Sequence, residues 1–88
     1  MNQIQRGQFA RSLAGHDKGR LYIIWEYDEQ YVYLADGRIR TLDRLKKKKR
    51  KHVQISLETA NIPEDGRTEV QSVTDMKIRK ALKVKEDK

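Results

Sequence analysis

A chain of 88 residues without cysteine excludes disulfides, thiol catalysis and cysteine-ligated zinc. It points to one domain with a modest core, since a chain of this size buries roughly 60% of its unfolded surface, which leaves little room for a deep catalytic cleft. Lys and Arg number 20 against 13 Asp and Glu, a net charge of +7 with a pI of about 9.8, as in nucleic-acid-binding domains, while the low apolar share of 36% points to poor order in part of the chain.

Residues 1–6 read as a loose start, and Met1 to Arg6 holds no apolar stretch of the signal-peptide kind. Phe9 to Leu13 is a candidate strand. Ala14-Gly15-His16-Asp17-Lys18-Gly19-Arg20 is polar and carries two glycines, which reads as a turn or short loop. Leu21 to Tyr27 is the best strand, rich in aromatic and β-branched residues. Its apolar part, Leu21 to Trp25, is far too short to span a bilayer. Asp28-Glu29-Gln30 makes a turn, and Tyr31 to Ala35 is the next strand. Asp36-Gly37 supplies a pair suited to a tight hairpin, leading into Arg38 to Leu42 as a half-exposed strand of alternating charged and apolar residues. The run Lys46-Lys47-Lys48-Lys49-Arg50-Lys51 follows, and His52 to Ile55 is a candidate closing strand. Short strands at this spacing predict a mainly β fold, a small antiparallel barrel.

Beyond it, Ile62-Pro63-Glu64-Asp65-Gly66 breaks regular structure. The acidic stretch from Glu58 to Glu69 reads as a solvated linker, or as a segment that folds back onto the basic run. Thr74 to Leu82 reads as a short helix with Thr74 as N-cap and Asp75 at its positive end. Ile78 and Leu82 share one face, through which the helix is expected to dock on the barrel with its cations solvated, or with Lys77, Arg79, Lys80 and Lys83 touching RNA. The expected organisation is a flexible 1–6, a barrel over 7–56, a linker over 57–73, a helix over 74–84 and a frayed 85–88. No internal repeat occurs.

The basic run has two readings, a solvated connector and a contact for a dense array of negative charge. Arg38, Arg40 and Arg44 lead into it with only Asp43 offsetting them, and strand-like residues bracket it, which favours contact. Lys18 and Arg20 project charge from the glycine-containing loop, whereas Gly15, Gly19 and the Asp36-Gly37 pair read as structural turn residues. Trp25 is expected in the core. The tyrosines 22, 27, 31 and 33 either fill the core or stack on unpaired bases. His16 and His52 lack the further ligands a metal needs, and His52 extends the basic run as a donor. Asp17 reads as a turn former, with no nucleophile beside it. An enzyme is not expected, nor any cofactor.

The stretch Gly7 to Arg20 followed by an apolar strand resembles the KOW motif of ribosomal proteins and transcription elongation factors. The longer pattern resembles the bacterial KOW-domain RNA-binding proteins, relatives of a large-subunit ribosomal protein of archaea and eukaryotes. The matching features are Ala14-Gly15-x-Asp17-Lys18-Gly19-Arg20, Leu34-Ala35-Asp36-Gly37, the basic run with His52, and Thr74-Asp75-x-x-Ile78-Arg79-Lys80-Ala81-Leu82. Two positions depart from it: Ala10, where a larger apolar residue is expected, and Lys77, where an acid would complete a capping arrangement. The resemblance implies a Src-homology-3-like barrel of KOW type that contacts RNA through its loops, and a ribosome-linked role.

The expected RNA-binding set is Arg11, Lys18, Arg20, Arg38, Arg40, Arg44, Lys46, Lys47, Lys48, Lys49, Arg50, Lys51 and His52. The expected partner is RNA, specifically ribosomal RNA or a ribosomal subunit, bound by a monomeric cytoplasmic protein with no membrane role. The alternative is a protein-interaction module that docks a translation or transcription component through the Ile78/Leu82 face.

Overall fold

A computed structural model describes residues 4–60 and 71–86. Five strands, β1 (Gln8–Ser12), β2 (Leu21–Tyr27), β3 (Tyr31–Ala35), β4 (Lys46–Lys49) and β5 (Val53–Thr59), precede one helix, α1 (Gln71–Glu86). The strands form one antiparallel sheet in the order β4-β3-β2-β1-β5. The fold is therefore mainly β, with a C-terminal helix. The sheet is open, with β4 and β5 at its two edges.

Chain connectivity forces this sheet to curl. A flat five-stranded sheet would hold β4 and β5 about 19 Å apart, four spacings of ~4.8 Å. Only a 3₁₀ turn, Arg50–His52, joins them, and it advances roughly 6 Å at ~2 Å per residue. Two hydrogen bonds fasten the turn to the far sides of the sheet. Arg50 N–H donates to Gln30 O (2.9 Å), and Leu13 N–H donates to His52 O (2.8 Å). Register shifts near Phe9 and Trp25 add the local twist that bulges give.

The curl makes two apolar layers, and β2 serves both. Leu21 and Ile23 face outward with Phe9 and Ala35, where Ile78 and Leu82 of α1 cover them. Tyr22 and Ile24 face inward with Ala10, Val32, Leu34 and Val53. A strand buried on both sides reads as a continuous apolar run rather than an alternating one, as Leu21-Tyr22-Ile23-Ile24 does. Ala10 lies opposite Tyr22 on one side and Ile55 on the other. It is almost fully buried, so its small side chain sits between two larger ones. Trp25 packs against the outer layer, and Arg6 lies over its ring at 5.0 Å from the centroid.

Three segments differ from the sequence expectation. Arg38 to Leu42 is not a strand: residues 36–45 form an irregular loop, so Asp36-Gly37 does not close a hairpin. The reason is the Asp36 carboxylate, which accepts from Arg38 N–H and Arg40 N–H at 2.8 Å each, diverting the donors a ladder needs. The strand that pairs with β3 is instead the first four residues of the lysine run. Lysine is a common edge-strand residue because its charge discourages further pairing. The closing strand is longer than expected, reaching Thr59, while His52 belongs to the 3₁₀ turn.

The helix also begins earlier, at Gln71, so Thr74 is not its N-cap. Thr74 and Asp75 are buried within it, and Asp75 Oδ1 accepts from Leu42 N–H (3.1 Å), tying the helix to the 36–45 loop. Gly37 completes this junction. It takes a φ of 76°, and a Cβ there would overlap the Asp75 carbonyl oxygen. The expected break at 62–66, most of the acidic linker, and the ends 1–3 and 87–88 lie outside the described residues.

Candidate nucleic-acid interface

The lysine run behaves as a strand, and strand geometry splits it. Alternate side chains leave opposite faces, so Lys46 and Lys48 share the face of their partners Leu34 and Val32. Lys48 is drawn inward, its side chain only 12% exposed. Its ammonium donates to Ala14 O (2.9 Å) and to Asp17 Oδ1 (3.1 Å).

Asp17 is the hub of that contact. Its carboxylate also accepts from Ser12 Oγ (2.8 Å) and from the Tyr22 hydroxyl (2.8 Å), and Lys46 Nζ stands 3.9 Å away. Burial pushes the carboxyl up, but the bonds from Ser12, Tyr22 and Lys48 and the charge of Lys48 outweigh it and hold the group well below its ordinary range. The same burial, with the bond to Asp17 and its charge, pushes the Tyr22 phenol up to about 12. This network fixes the 13–20 loop to both β2 and β4. Gly15 and Gly19 take the positive φ values this loop requires, 86° and 89°.

The fixed loop forms one wall of an open cleft of about 1000 Å³. His16, Lys18 and Arg20 line that wall; Arg38, Ile39 and Arg40 line the opposite loop; Lys46 lies at the start of β4; Arg79 and Lys83 come from α1. Seven cations thus converge from four separate segments. Three carboxylates also line the cleft, Asp17, Asp36 and Glu86, and apart from the 3.9 Å approach of Lys46 to Asp17 each is engaged outside the seven. Asp17 bonds Ser12, Tyr22 and Lys48, Asp36 holds its own loop backbone, and Glu86 pairs with Arg11 at 2.8 Å. Lys18, Arg38, Arg40 and Lys83 make no ion pair among the described residues. Arg79 donates to Gly37 O, which holds the helix against the Arg38 loop. Ile39 sits between two arginines with 66% of its surface exposed, an apolar tip at the cleft rim.

The expected set is therefore divided. Lys18, Arg20, Arg38, Arg40 and Lys46 line the main cleft. Arg11 donates to Gly19 O (2.7 Å) and to Glu86, bracing the loop rather than offering its charge. Arg44 is exposed but does not line the cleft. Lys47 and Lys49 point to the other face with Tyr33 and Tyr31, and Lys47 Nζ lies over the Tyr31 ring at 4.2 Å from its centroid. Lys49, Arg50 and Lys51 line a second, smaller cleft of about 380 Å³ with Glu29, Gln30 and Tyr31. His52 is half-buried in the 3₁₀ turn.

Arg79 and Lys83 stand outside the expected contact set, although the sequence offers them with Lys77 and Lys80 as candidate RNA contacts. Their spacing of four residues put both on one helix face, but only the docking of α1 tells which face meets the loops. That docking is the one expected of the Ile78/Leu82 face: Ile78 is fully buried and Leu82 nearly so against the chain's own sheet, the same face the alternative reading offers to a protein partner. No described helix is long and apolar enough to cross a membrane. The chain matches no protein-family model and no curated protein.

Proposed function

We propose that this protein is a non-catalytic RNA-binding protein whose main cleft holds the phosphate backbone. The observation that carries the reading is the convergence of seven cations on one open cleft whose three carboxylates neutralise only one of them, Asp17 standing 3.9 Å from Lys46 while Asp36 and Glu86 bond elsewhere. Such a surface gains affinity by releasing counterions from phosphate. Arginines 38 and 40 add planar forks suited to two phosphate oxygens each, and Lys18, Lys46 and Lys83 act as point charges. Phosphate contact of this kind carries little sequence information, so the cleft selects backbone shape more than bases.

RNA is favoured over duplex DNA because nothing in the sequence resembles a major-groove recognition helix. The resemblance to KOW-domain RNA-binding proteins agrees with this. The strand order, with its short 3₁₀ link between the edges, supports a Src-homology-3-like barrel of KOW type. On that reading the target is ribosomal RNA or a ribosomal subunit.

The test is sedimentation of the tagged protein through gradients of cell lysate at low and moderate salt. Co-migration with one ribosomal subunit, lost as salt rises, is the expected result. Migration at the top of the gradient under both conditions contradicts the ribosomal role.

A further inference from the structure

The second cleft lies at the other end of β4 from Lys46. Its lining divides by chemistry. Glu29, Gln30 and Tyr31 come from the β2–β3 turn and the start of β3, while Lys49, Arg50 and Lys51 come from the end of β4 and the 3₁₀ turn. An aromatic ring therefore faces three consecutive cations across a space of about 380 Å³. That pairing of a π surface with a cationic track is what single-stranded nucleic acid uses, the base stacking and the phosphate lying on charge.

The cleft is held in shape before any ligand arrives. Asp28 accepts from Gln30 N–H (2.9 Å) and Tyr31 N–H (2.8 Å), which sets the turn and places Tyr31 at its end. Those two backbone bonds hold the Asp28 carboxyl below its ordinary range. Arg50 N–H donates to Gln30 O across the cleft floor (2.9 Å). Lys47 fixes the Tyr31 ring by a cation–π contact.

We propose that the second cleft is a subsite for one unpaired nucleotide of the bound RNA. Its base stacks on Tyr31 and its phosphate lies on Lys49, Arg50 and Lys51. This rests on the RNA reading of the main cleft and extends it. Lys46 and Lys49 are separated by three strand residues, about 10 Å at ~3.3 Å per residue, so one RNA can reach both clefts. The ligand is then a paired segment that continues into a single strand, with Lys46 at the first part and Lys49 at the second.

Three labelled RNAs test this with the full-length protein: a blunt hairpin, the same hairpin with a short single-stranded extension, and that extension made abasic, which keeps the phosphates and removes the bases. Fluorescence anisotropy reads the affinity. A stacked base contributes ~1–3 kcal/mol, so the normal extension is expected to bind roughly tenfold tighter than the abasic one. Tyr31→Leu is expected to abolish that difference while leaving affinity for the abasic and blunt RNAs unchanged, and Tyr31→Phe to preserve it. Equal binding of normal and abasic extensions by the wild-type protein overturns the subsite and leaves the main cleft standing. Failure of all three RNAs to bind overturns the RNA reading and the subsite with it.

Discussion

Lys48 stands at the centre of the most cationic stretch of the chain, yet its contacts make it a stabilising residue rather than a ligand contact. Replacement by Met keeps the apolar stem beside Val32 and removes only the ammonium. Two bonds are lost, to Ala14 O and to Asp17 Oδ1, in a site where both side chains are 12% exposed. A hydrogen bond to a charged group contributes ~1.5–3 kcal/mol, and breaking a buried ion pair costs ~3–5 kcal/mol because one charge is left behind. Asp17 keeps its bonds from Ser12 and Tyr22, so Lys48→Met is expected near the lower of these ranges, about 2–3 kcal/mol. At ~4–8 °C per kcal/mol for a domain of this size, the melting temperature falls by roughly 10–20 °C.

Urea unfolding followed by Trp25 fluorescence is the assay, with a lower midpoint and an unchanged slope as the signature of a pure stability loss. Asp17 reports the same loss through pH. Its folded pKa lies below the unfolded value, so its contribution is present above the unfolded pKa and disappears as pH falls through the folded one. Without Lys48 the folded pKa rises and acid unfolding begins at a higher pH. Affinity for RNA at a temperature where the variant is folded stays at the wild-type level. A midpoint unchanged within ~0.5 kcal/mol, together with weakened RNA binding, refutes the inward assignment of Lys48.

Two further outcomes probe the scaffold. Tyr22 has a folded pKa raised to about 12 from 10.0, so its contribution is complete below the unfolded pKa and is lost as pH rises through the folded value; two pKa steps at ~1.4 kcal/mol bound the effect at about 3 kcal/mol, and a denaturation series from pH 9 to 12 is expected to show this fall in the wild type and a flatter profile in Tyr22→Phe. Gly37→Ala combines a positive φ with a Cβ directed at the Asp75 carbonyl, so α1 is expected to lift from the 36–45 loop with a loss of about 2 kcal/mol or more, seen as faster amide exchange along the helix; exchange at wild-type rates contradicts the described junction.

What could be read from the residues, and what could not, follows from the range of the forces involved. Apolar content and turn chemistry act locally, so Leu21–Tyr27, Tyr31–Ala35 and the Asp28 turn are legible directly. The Arg38–Leu42 stretch misleads because its alternation is that of a strand, and the competing factor, one Asp36 oxygen accepting from two backbone donors, is a matter of geometry. The lysine run misleads in the opposite direction. Four consecutive like charges do not read as a strand, and their strand character comes from pairing with Tyr31–Leu34, a tertiary effect that propensity does not contain. The consequence for the candidate site is large: consecutive cations that look equivalent have four separate fates, one in the main cleft, one bonded to Asp17, one on the Tyr31 ring and three beside the second cleft. Arg79 and Lys83 enter the main cleft through the docking of α1, which is set by Phe9, Leu21, Ile23 and Ala35 far away in the chain.

The central claim is that the main cleft binds RNA phosphate, and its most direct test is the salt dependence of affinity for one RNA hairpin, compared between the wild type and Arg38→Gln/Arg40→Gln. These side chains make no ion pair among the described residues, and the loop is held by backbone bonds to Asp36, so the double variant keeps its fold. Each phosphate contact removed lowers the slope of log affinity against log salt by about 1. Weaker binding, with a slope shallower by about 2, is the expected result. A double variant with wild-type affinity and slope contradicts it.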